Sequence, residues 1–176
     1  MTGALAAAMV PIVTPEEMRT VDAEATEPTD VLIARAGGAV ARAALRMLGG
    51  TYGRVVNVVA GKGNNGADGR VAAARLAERG VKVRVFDAAG CPPVLPPAHL
   101  VIDAAYGTGF RGEWSPPEVG DAMVLAVDIP SGVDALTGGA AGPVLAADRT
   151  VTFAALKPGL LFPPGSDLAG AVEVAD

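Results

Sequence analysis

Thiol, imidazole and aromatic side chains are scarce in this sequence. Cys91 and His99 are the single residues of their kinds, and aromatic residues account for 4% of the 176 positions. One cysteine excludes an intramolecular disulfide and any motif built on two thiolates. His99 stands at the start of an apolar run, which indicates a structural residue rather than a hydride-transfer acid. The absence of paired cysteines fits a cytoplasmic protein, which is the location we expect.

Concentrated positive charge and long apolar runs are also missing. The formal net charge is −5, and no cluster of Lys and Arg offers the basic face that nucleic-acid backbones require. No run reaches transmembrane length, so we expect neither nucleic acid nor a membrane as a partner. The apolar segment 4–13 lacks the positive lead and the cleavage site of a signal peptide. Length and an apolar content of 51% predict one domain over 1–176, with 1–13 as a leader or extension.

A turn of the form Gly-x-Gly-x-x-Gly is the most distinctive local feature. Its glycines are Gly61, Gly63 and Gly66, and it stands between a β-branched run and an alanine-rich stretch that stops at Gly80. This order predicts a strand, a tight turn and the N-terminus of a helix. Backbone N–H groups in such a turn approach a ligand closely, and the helix end favours anions. We expect a nucleotide to bind here.

Two early helices and five further strands complete the predicted fold. Residues 14–17 form a capped helix start, and a second helix is expected from 29 or 30 to Leu48, ended by Gly49. Strands are predicted at 81–86, 100–104, 123–127, 149–153 and 171–174, whereas the prolines of 87–97 exclude regular structure. Because the early strands are continuously apolar, we predict an α/β fold. It is a Rossmann-like, doubly wound, mostly parallel sheet with two extra N-terminal helices, in three αβα layers.

Polar residues follow several of the predicted strands. In an open parallel sheet, ligands bind outside the carboxyl ends of the strands, where the following loops converge. The residues at or just after such ends are Asn64, Asn65, Asp68, Asp103, Thr108, Asp128, Ser131 and Lys157. A purely structural alternative treats the two later aspartates as helix caps and the asparagine pair as a turn.

The glycine turn by itself suggests a nicotinamide-dependent oxidoreductase. Asp87 lies 21 residues beyond Gly66, where such enzymes carry an acid that binds ribose. Against this, the charge of Asp68 in the first helical turn would repel a pyrophosphate. A P-loop is excluded because no Lys-Ser or Lys-Thr pair follows the turn.

Four motifs in a fixed order resemble those of the NAD(P)HX epimerases. They read GKGNNGADG at 61–69, DAAYGTGFRG at 103–112, VDIPSGVD at 127–134, and ADRTVTF at 147–153 followed by KPG at 157–159. The resemblance extends to the N-terminal helices from Pro15 and so covers nearly the whole chain. One departure is Ala67, which stands where the family usually has a second glycine. The segments 86–99 and 112–122 are shorter than usual. These 176 residues do not include the family's C-terminal dehydratase domain, so we expect either a stand-alone epimerase or one half of a fused enzyme.

The resemblance implies a repair enzyme that interconverts the R and S forms of hydrated NADH or NADPH. A partner dehydratase, which uses the S form, then restores the coenzyme. One potassium ion per subunit would be held by Asn65, Asp103 and Ser131, whose oxygens suit a hard cation. The positions implied to bind substrate are Asn64, Asn65, Gly66, Ala67, Asp68, Gly107, Thr108, Gly109, Phe110, Arg111, Gly112, Glu113 and Asp128.

The chemistry requires an acid or base near a hydroxyl group and negative charge facing a cation. We assign Asp128 to that role, with Lys157 orienting the substrate or assisting proton transfer. Ring opening and reclosure is a second possible route. A nucleotide-binding or protein-binding module that has lost catalysis is the alternative function, and retention of the presumed ion and acid positions favours the enzyme. The alanine-rich N-terminal helices lead us to expect a homodimer.

Overall fold

Six parallel strands form a single sheet in the computed structural model, which describes residues 10–110, 112 and 114–175. In chain order they are β1 (Val55–Ala60), β2 (Lys82–Asp87), β3 (Leu100–Ala104), β4 (Met123–Val127), β5 (Arg149–Phe153) and β6 (Ala171–Ala175). Their order across the sheet is β2-β1-β3-β4-β5-β6. β2 is added on one side of β1 and the later strands on the other side, so the order of the strands reverses between β1 and β3. The predicted α/β class and parallel sheet are confirmed. β1 lies in the β-branched run before the glycine turn, and the five strands for which bounds were predicted lie within one residue of them.

Four helices accompany the strands in the described part of the chain. α1 (Pro15–Glu24) begins with a capping box, because Thr14 Oγ1 accepts from the Glu17 N–H at 3.2 Å and the Glu17 carboxylate accepts from the Thr14 N–H at 2.7 Å. α2 (Thr29–Leu48) ends at Gly49, whose φ of 64° is left-handed. α3 (Asn64–Glu78) follows the glycine turn, and α4 (Gly165–Ala169) is a single short helix.

Two 3₁₀ turns, Ala88–Gly90 and Pro158–Leu160, complete the elements. The first lies within 87–97, and β2 also includes Asp87, so the prediction that this segment has no regular structure is wrong for four residues, 87–90. The physical reason is that its prolines begin only at Pro92, after the turn has ended, so residues 88–90 keep their backbone donors.

One face of the sheet is covered by α2 and α3. Glycines allow close packing between the two helices and between α3 and the sheet. A Cβ at Gly37 of α2 would lie 2.6 Å from Val71 of α3, and a Cβ at Gly69 of α3 would lie 2.5 Å from the Cβ of Ala104 in β3. Close approach buries an apolar layer from which water is excluded. Its fully buried strand residues include Val56, Val58, Leu100, Ile102, Leu125, Val127 and Val151. We call this the helix face.

The opposite face, called the loop face, is covered by connecting segments, the 3₁₀ turns and α4. Among the described residues, the connections from β2 to β3 and from β3 to β4 contain no α-helix, in line with the short segments seen in the sequence. Buried polar strand residues on this face anchor the loops: Asn57 Nδ2 donates to the Pro96 carbonyl at 2.7 Å, and Thr150 Oγ1 donates to the Ala169 carbonyl at 2.7 Å.

The segment before α1 pairs with the loop after β5. The Val13 N–H donates to the Leu156 carbonyl, and the Leu156 N–H donates to the Pro11 carbonyl, both at 2.9 Å. Residues 1–9 of the expected leader lie outside the described residues. His99 has the structural role expected of it, because its Nδ1 accepts the Val55 N–H at 3.1 Å. Within the described ranges, no helix has both the length and the apolar character to cross a membrane.

Candidate functional site

A cavity of about 820 Å³ opens at the carboxyl ends of β1, β3, β4 and β5. It lies where the strand order reverses, which is the usual position of a ligand in an open parallel sheet. The size is within the range of cofactor and small-molecule sites. Nine of the residues assigned to the site from sequence line it: Asn64, Asn65, Asp68, Gly107, Thr108, Gly109, Phe110, Asp128 and Lys157.

Several other assigned residues do not line this cavity. A Cβ at Gly66 would clash with the Gly61 carbonyl, so the small size of Gly66 lets the turn close before α3. Ala67 is helical, so its Cβ carries no left-handed strain. Gly112 lines a separate cavity of about 400 Å³. Arg111 and Glu113 lie outside the described residues.

Asp128 has an uncommon backbone conformation directly after β4. Its φ is 68°, a left-handed value rare for residues other than glycine, asparagine and aspartate. Its N–H donates to the Val151 carbonyl of β5 at 2.7 Å, which holds the backbone there. Its Oδ1 accepts from Thr152 Oγ1 at 3.0 Å and lies 2.7 Å from Lys157 Nζ. Strained backbone held by neighbours is typical of functional sites.

Lys157 is buried next to Asp128 and forms an ion pair with its carboxylate. Its side chain is 2% exposed, and its Nζ donates to Thr152 Oγ1 at 2.8 Å and to the Phe153 carbonyl at 3.0 Å as well as contacting Asp128. An ammonium has three donors, and these three partners use all of them. In this arrangement Lys157 therefore positions Asp128 rather than donating to a ligand. Thr152 was not identified from the sequence, although the alternation of β5 places it on the same face as Thr150.

Asp68 lies across the cavity on α3. Its side chain is buried, at 6% exposure, and forms no hydrogen bond or ion pair with the described residues. Burial, together with the negative charge of Asp128, raises the pKa of Asp68 to about 7. The two carboxyl groups that line the cavity thus have different environments.

Asp103 and Ser131 lie behind the cavity wall. Asp103, 1% exposed, accepts from the Ser131 N–H at 2.9 Å, from Ser131 Oγ at 2.6 Å and from the Ala105 N–H at 3.2 Å. Burial raises the pKa of Asp103, and these hydrogen bonds oppose the shift. Ser131 Oγ also accepts from the Tyr106 N–H at 2.9 Å. The pair therefore joins the loops after β3 and β4.

Asn65 is the residue best suited to a cation. Its Oδ1 and Nδ2 are buried, and neither has a hydrogen-bond partner within the described part of the chain. Such atoms are costly to leave unpaired unless a ligand satisfies them. Asp103 is likewise a buried carboxylate with no ion pair to a described cationic side chain. Amide, carboxylate and hydroxyl oxygens fit a hard cation, whereas no cluster of three His, Cys, Asp or Glu side chains that could hold a metal occurs among the described residues.

The remaining cavity wall was not predicted. α1 and α2 contribute Met18, Thr29 and Leu32, because the N-terminal helices extend over the strand ends. Tyr106 also lines the cavity, and its ring stacks on Phe110 with centroids 4.0 Å apart. Asp87, the acid expected to bind ribose in an oxidoreductase, is not part of this wall. Its Oδ1 instead pairs with Arg70 at 2.7 Å.

Comparisons with known proteins identify relatives along most of the chain. The family described as YjeF-related protein N-terminus matches residues 29–94 and 87–159. The NAD(P)H-hydrate epimerase of Limosilactobacillus reuteri is 36% identical, with 94% of each chain covered. That of Limosilactobacillus fermentum is also 36% identical, with 85% of this chain and 86% of that protein covered. The crystal structure of yeast ynu0, YNL200c, has the same fold at 23% identity and a TM-score of 0.63, covering 85% of this chain and 83% of the yeast chain.

Some longer relatives contain a region similar to this chain. The bifunctional NAD(P)H-hydrate repair enzyme Nnr of Moorella thermoacetica is 35% identical over 94% of this chain, which spans 40% of that protein. The alignment to the Limosilactobacillus reuteri protein extends over 202 residues, so that relative carries residues absent from the 176 present here. The resemblance found in the four motifs is confirmed: the chain belongs to the family of YjeF-related protein N-terminal domains.

Proposed function

We propose that this chain is an NAD(P)H-hydrate epimerase that interconverts the R and S forms of hydrated NADH and NADPH. The two supporting relatives carry that name. One aligns with this chain over 94% of both lengths, and the other aligns over 85% of this chain and 86% of its own length. The observation that carries the proposal is the position of Asp128, which lines the cavity while Lys157 and Thr152 hold one of its oxygens.

The reaction suits this arrangement. The hydrated ring bears a hydroxyl group on the carbon beside the ring nitrogen. When that hydroxyl leaves, the nitrogen lone pair stabilises the resulting cation, and water returns on either face. A fixed carboxylate beside the cation stabilises it without rearranging at the moment of reaction. Asp128 supplies that carboxylate, and Lys157 and Thr152 keep it in place.

Potassium is a further part of the proposal. Asn65, Asp103 and Ser131 would hold one ion per subunit, which would satisfy the unpaired Asn65 oxygen and balance the buried charge of Asp103. Such an ion would also offset the repulsion between carboxylates and the phosphates of the substrate. We expect potassium chloride to raise the melting temperature more than choline chloride at equal concentration. Asn65→Leu should abolish that difference, and an equal response to both salts in the wild type would contradict the ion site.

The cellular setting is proposed from composition and surface character. The single cysteine fits a cytoplasmic protein. A dehydratase acting on the S form is the expected functional partner. Val21 of α1 and Val31 of α2 expose apolar surface, which a homodimer would cover.

The decisive experiment supplies the R form of hydrated NADH together with a dehydratase that consumes only the S form. We expect the wild-type chain to drive consumption of the R form well above the rate without it. Asp128→Asn should lower that rate by about 10²- to 10⁴-fold, the usual contribution of an acid or base. Asp121→Asn, an exposed aspartate of the loop before β4, is the matched control and should be unaffected. If the folded wild type consumes no R form, the chain is not an epimerase.

A further inference from the structure

Two carboxyl groups line the cavity among the described residues, and only one of them has partners. Asp128 Oδ1 contacts Lys157 Nζ and accepts from Thr152 Oγ1. Asp128 Oδ2 points toward the loop after β3, since it lies 3.6 Å from the position that a Cβ on Gly107 would occupy. The held carboxylate therefore presents one oxygen to the cavity.

Asp68 has no such support. It is almost fully buried and lacks a hydrogen bond or ion pair within the described residues, although it lines the same cavity. The ionisable groups that line this cavity with it are Lys62 in the turn before α3, Tyr106 after β3, Asp128 after β4 and Lys157 after β5. Neither α1 nor α2 contributes a charged side chain to the described wall.

The distribution of charge decides which carboxyl group keeps a proton. Lys157 is the buried cation of the wall, and its three donors are used by Asp128, Thr152 and the Phe153 carbonyl. Lys62 is exposed to solvent, where its charge is screened. Two carboxyl groups that share one site and one buried cation divide into a charged and a neutral member. Asp128 is the charged member, which leaves Asp68 as the neutral one.

We propose that Asp68 is a second catalytic residue, the acid that protonates the leaving hydroxyl group, while Asp128 is the base for the returning water. This inference rests on the proposed epimerase function. The Asp68 proton moves to the hydroxyl oxygen, the carbon–oxygen bond breaks and water leaves. The ring-nitrogen lone pair forms the carbon–nitrogen double bond of the cation.

The second half of the reaction restores the hydrate. Water attacks the same carbon from the other face, the carbon–nitrogen double bond returns its electron pair to nitrogen, and the water proton passes to Asp128. No electrons are gained or lost overall. The enzyme then holds its proton on Asp128 rather than Asp68, and exchange with solvent through the open cavity resets it. The reverse reaction uses the two groups in exchanged roles, as microscopic reversibility requires.

The environment of Asp68 supports this assignment. Burial and the charge of Asp128 raise the pKa of Asp68 to about 7, so the group can both give and receive a proton near neutral pH. An acid matched to the working pH is the most effective one. Its place in the first turns of α3, on a rigid element, fixes it relative to the loop that carries Asp128.

Epimerisation rates of the wild type, Asp68→Asn and Asp121→Asn should be measured from pH 5.5 to 8.5, with potassium chloride held constant. We expect Asp68→Asn to lower kcat by about 10²- to 10⁴-fold while KM changes by less than about threefold, the pattern of an interaction made in the transition state. The wild-type kcat should fall above pH 7 by up to about tenfold per unit. Asp121→Asn should retain the wild-type profile.

Two results would overturn the inference. One is an Asp68→Asn variant with near wild-type kcat and the same pH profile, in a preparation where the wild type is active and Asp128→Asn is not. The other is a wild-type rate that does not decline between pH 7 and 8.5, which needs no variant to fold. A wild type without epimerase activity would remove the proposed function and this inference together, so the two failures are distinguishable.

Discussion

Both faces of the sheet carry apolar clusters, but they differ in the buried polar side chains of their strands. On the helix face, strand residues such as Leu100 and Ile102 are fully buried against α2 and α3, and the contact is apolar. On the loop face, buried polar side chains of the strands bind the covering segments. Their partners include the Pro96 carbonyl for Asn57, Ser131 for Asp103 and the Ala169 carbonyl for Thr150.

Because of this difference, we expect the helix face to contribute mainly to stability and the loop face mainly to the placement of functional side chains. Apolar packing is non-directional and tolerates exchange of similar side chains. Hydrogen bonds are directional, so each polar anchor fixes a loop in one orientation. Asp128 and Lys157 belong to the loop-face network through Thr152. We therefore expect substitutions on the helix face to change the free energy of unfolding, and substitutions around Thr152 to change catalysis.

The largest expected effect on stability is on the helix face. Ile102→Ala should lower the free energy of unfolding by about 2–5 kcal/mol, because it leaves a cavity in a fully buried site. Turnover per folded molecule should remain near wild type. Urea denaturation and epimerase assays on the same samples test both statements, with Ile102→Val as a milder control at about 0.5–1.5 kcal/mol. A large fall in turnover with little change in the free energy of unfolding would contradict the expectation that the helix face affects stability and not catalysis.

Asp68 should make stability depend on pH. In the unfolded chain its pKa is near 3.8, whereas in the folded chain it is about 7. Between these values the folded state binds more protons, so its stability falls as pH rises, by up to about 1.4 kcal/mol per pH unit from this group. Asp68→Asn should remove that contribution and become progressively more stable than the wild type from pH 4 to 7. Urea denaturation across this range is the measurement, and a pH-independent difference would contradict it.

Two threonines of β5 offer the sharpest test of the loop face. Thr150 and Thr152 are both fully buried and on the same side of one strand. Thr152→Val and Thr150→Val should each cost about 1–3 kcal/mol, because each leaves a buried polar group without its partner. Only Thr152→Val should reduce kcat, by roughly tenfold to a hundredfold, because it releases Lys157 and Asp128 from their positions. Equal rates for the two variants would show that the network does not position Asp128.

The smallest effect is expected at the edge of the sheet. Glu173 of β6 pairs with Arg46 at 2.6 Å and lies 3.5 Å from Arg149, but all three side chains are substantially exposed. Such pairs contribute about 0–1 kcal/mol because water and salt screen them. Glu173→Gln should shift the denaturation midpoint only slightly and leave turnover unchanged. A loss above about 2 kcal/mol would indicate that this pair is part of the core.

Local signals predicted much of the fold. The capping box at Thr14, the left-handed end of α2 at Gly49 and the apolar strands each depend on residues close together in the chain, and each lies within one residue of its predicted position. Part of the cavity was predictable as well, because loops that follow parallel strands converge at one edge of the sheet. Six of the eight polar residues expected there from their positions in the sequence do line the cavity, namely Asn64, Asn65, Asp68, Thr108, Asp128 and Lys157.

The missed features depend on contacts between distant segments. Met18 and Leu32 line the cavity only because α1 and α2 pack over the strand ends, and no sequence period records that packing. Thr152 looks like an ordinary strand residue, since threonine is common in sheets. Its role arises from its hydrogen bond to Asp128, 24 residues earlier in the chain, and from Lys157, which folds back to contact both residues. The polar anchors of the loop face follow the same pattern, because each partner lies far along the chain.

The left-handed backbone of Asp128 also restricts which amino acids natural variation can place there. At a φ of 68°, an alanine or any larger residue with an ordinary Cβ would be strained by about 1–2 kcal/mol, while asparagine and glycine would not. Loss of the carboxylate through asparagine or glycine would therefore leave the backbone of this loop without added strain. Homologues that have given up catalysis for binding should carry one of these two residues at this position, which makes it a marker for sorting active from inactive members by sequence.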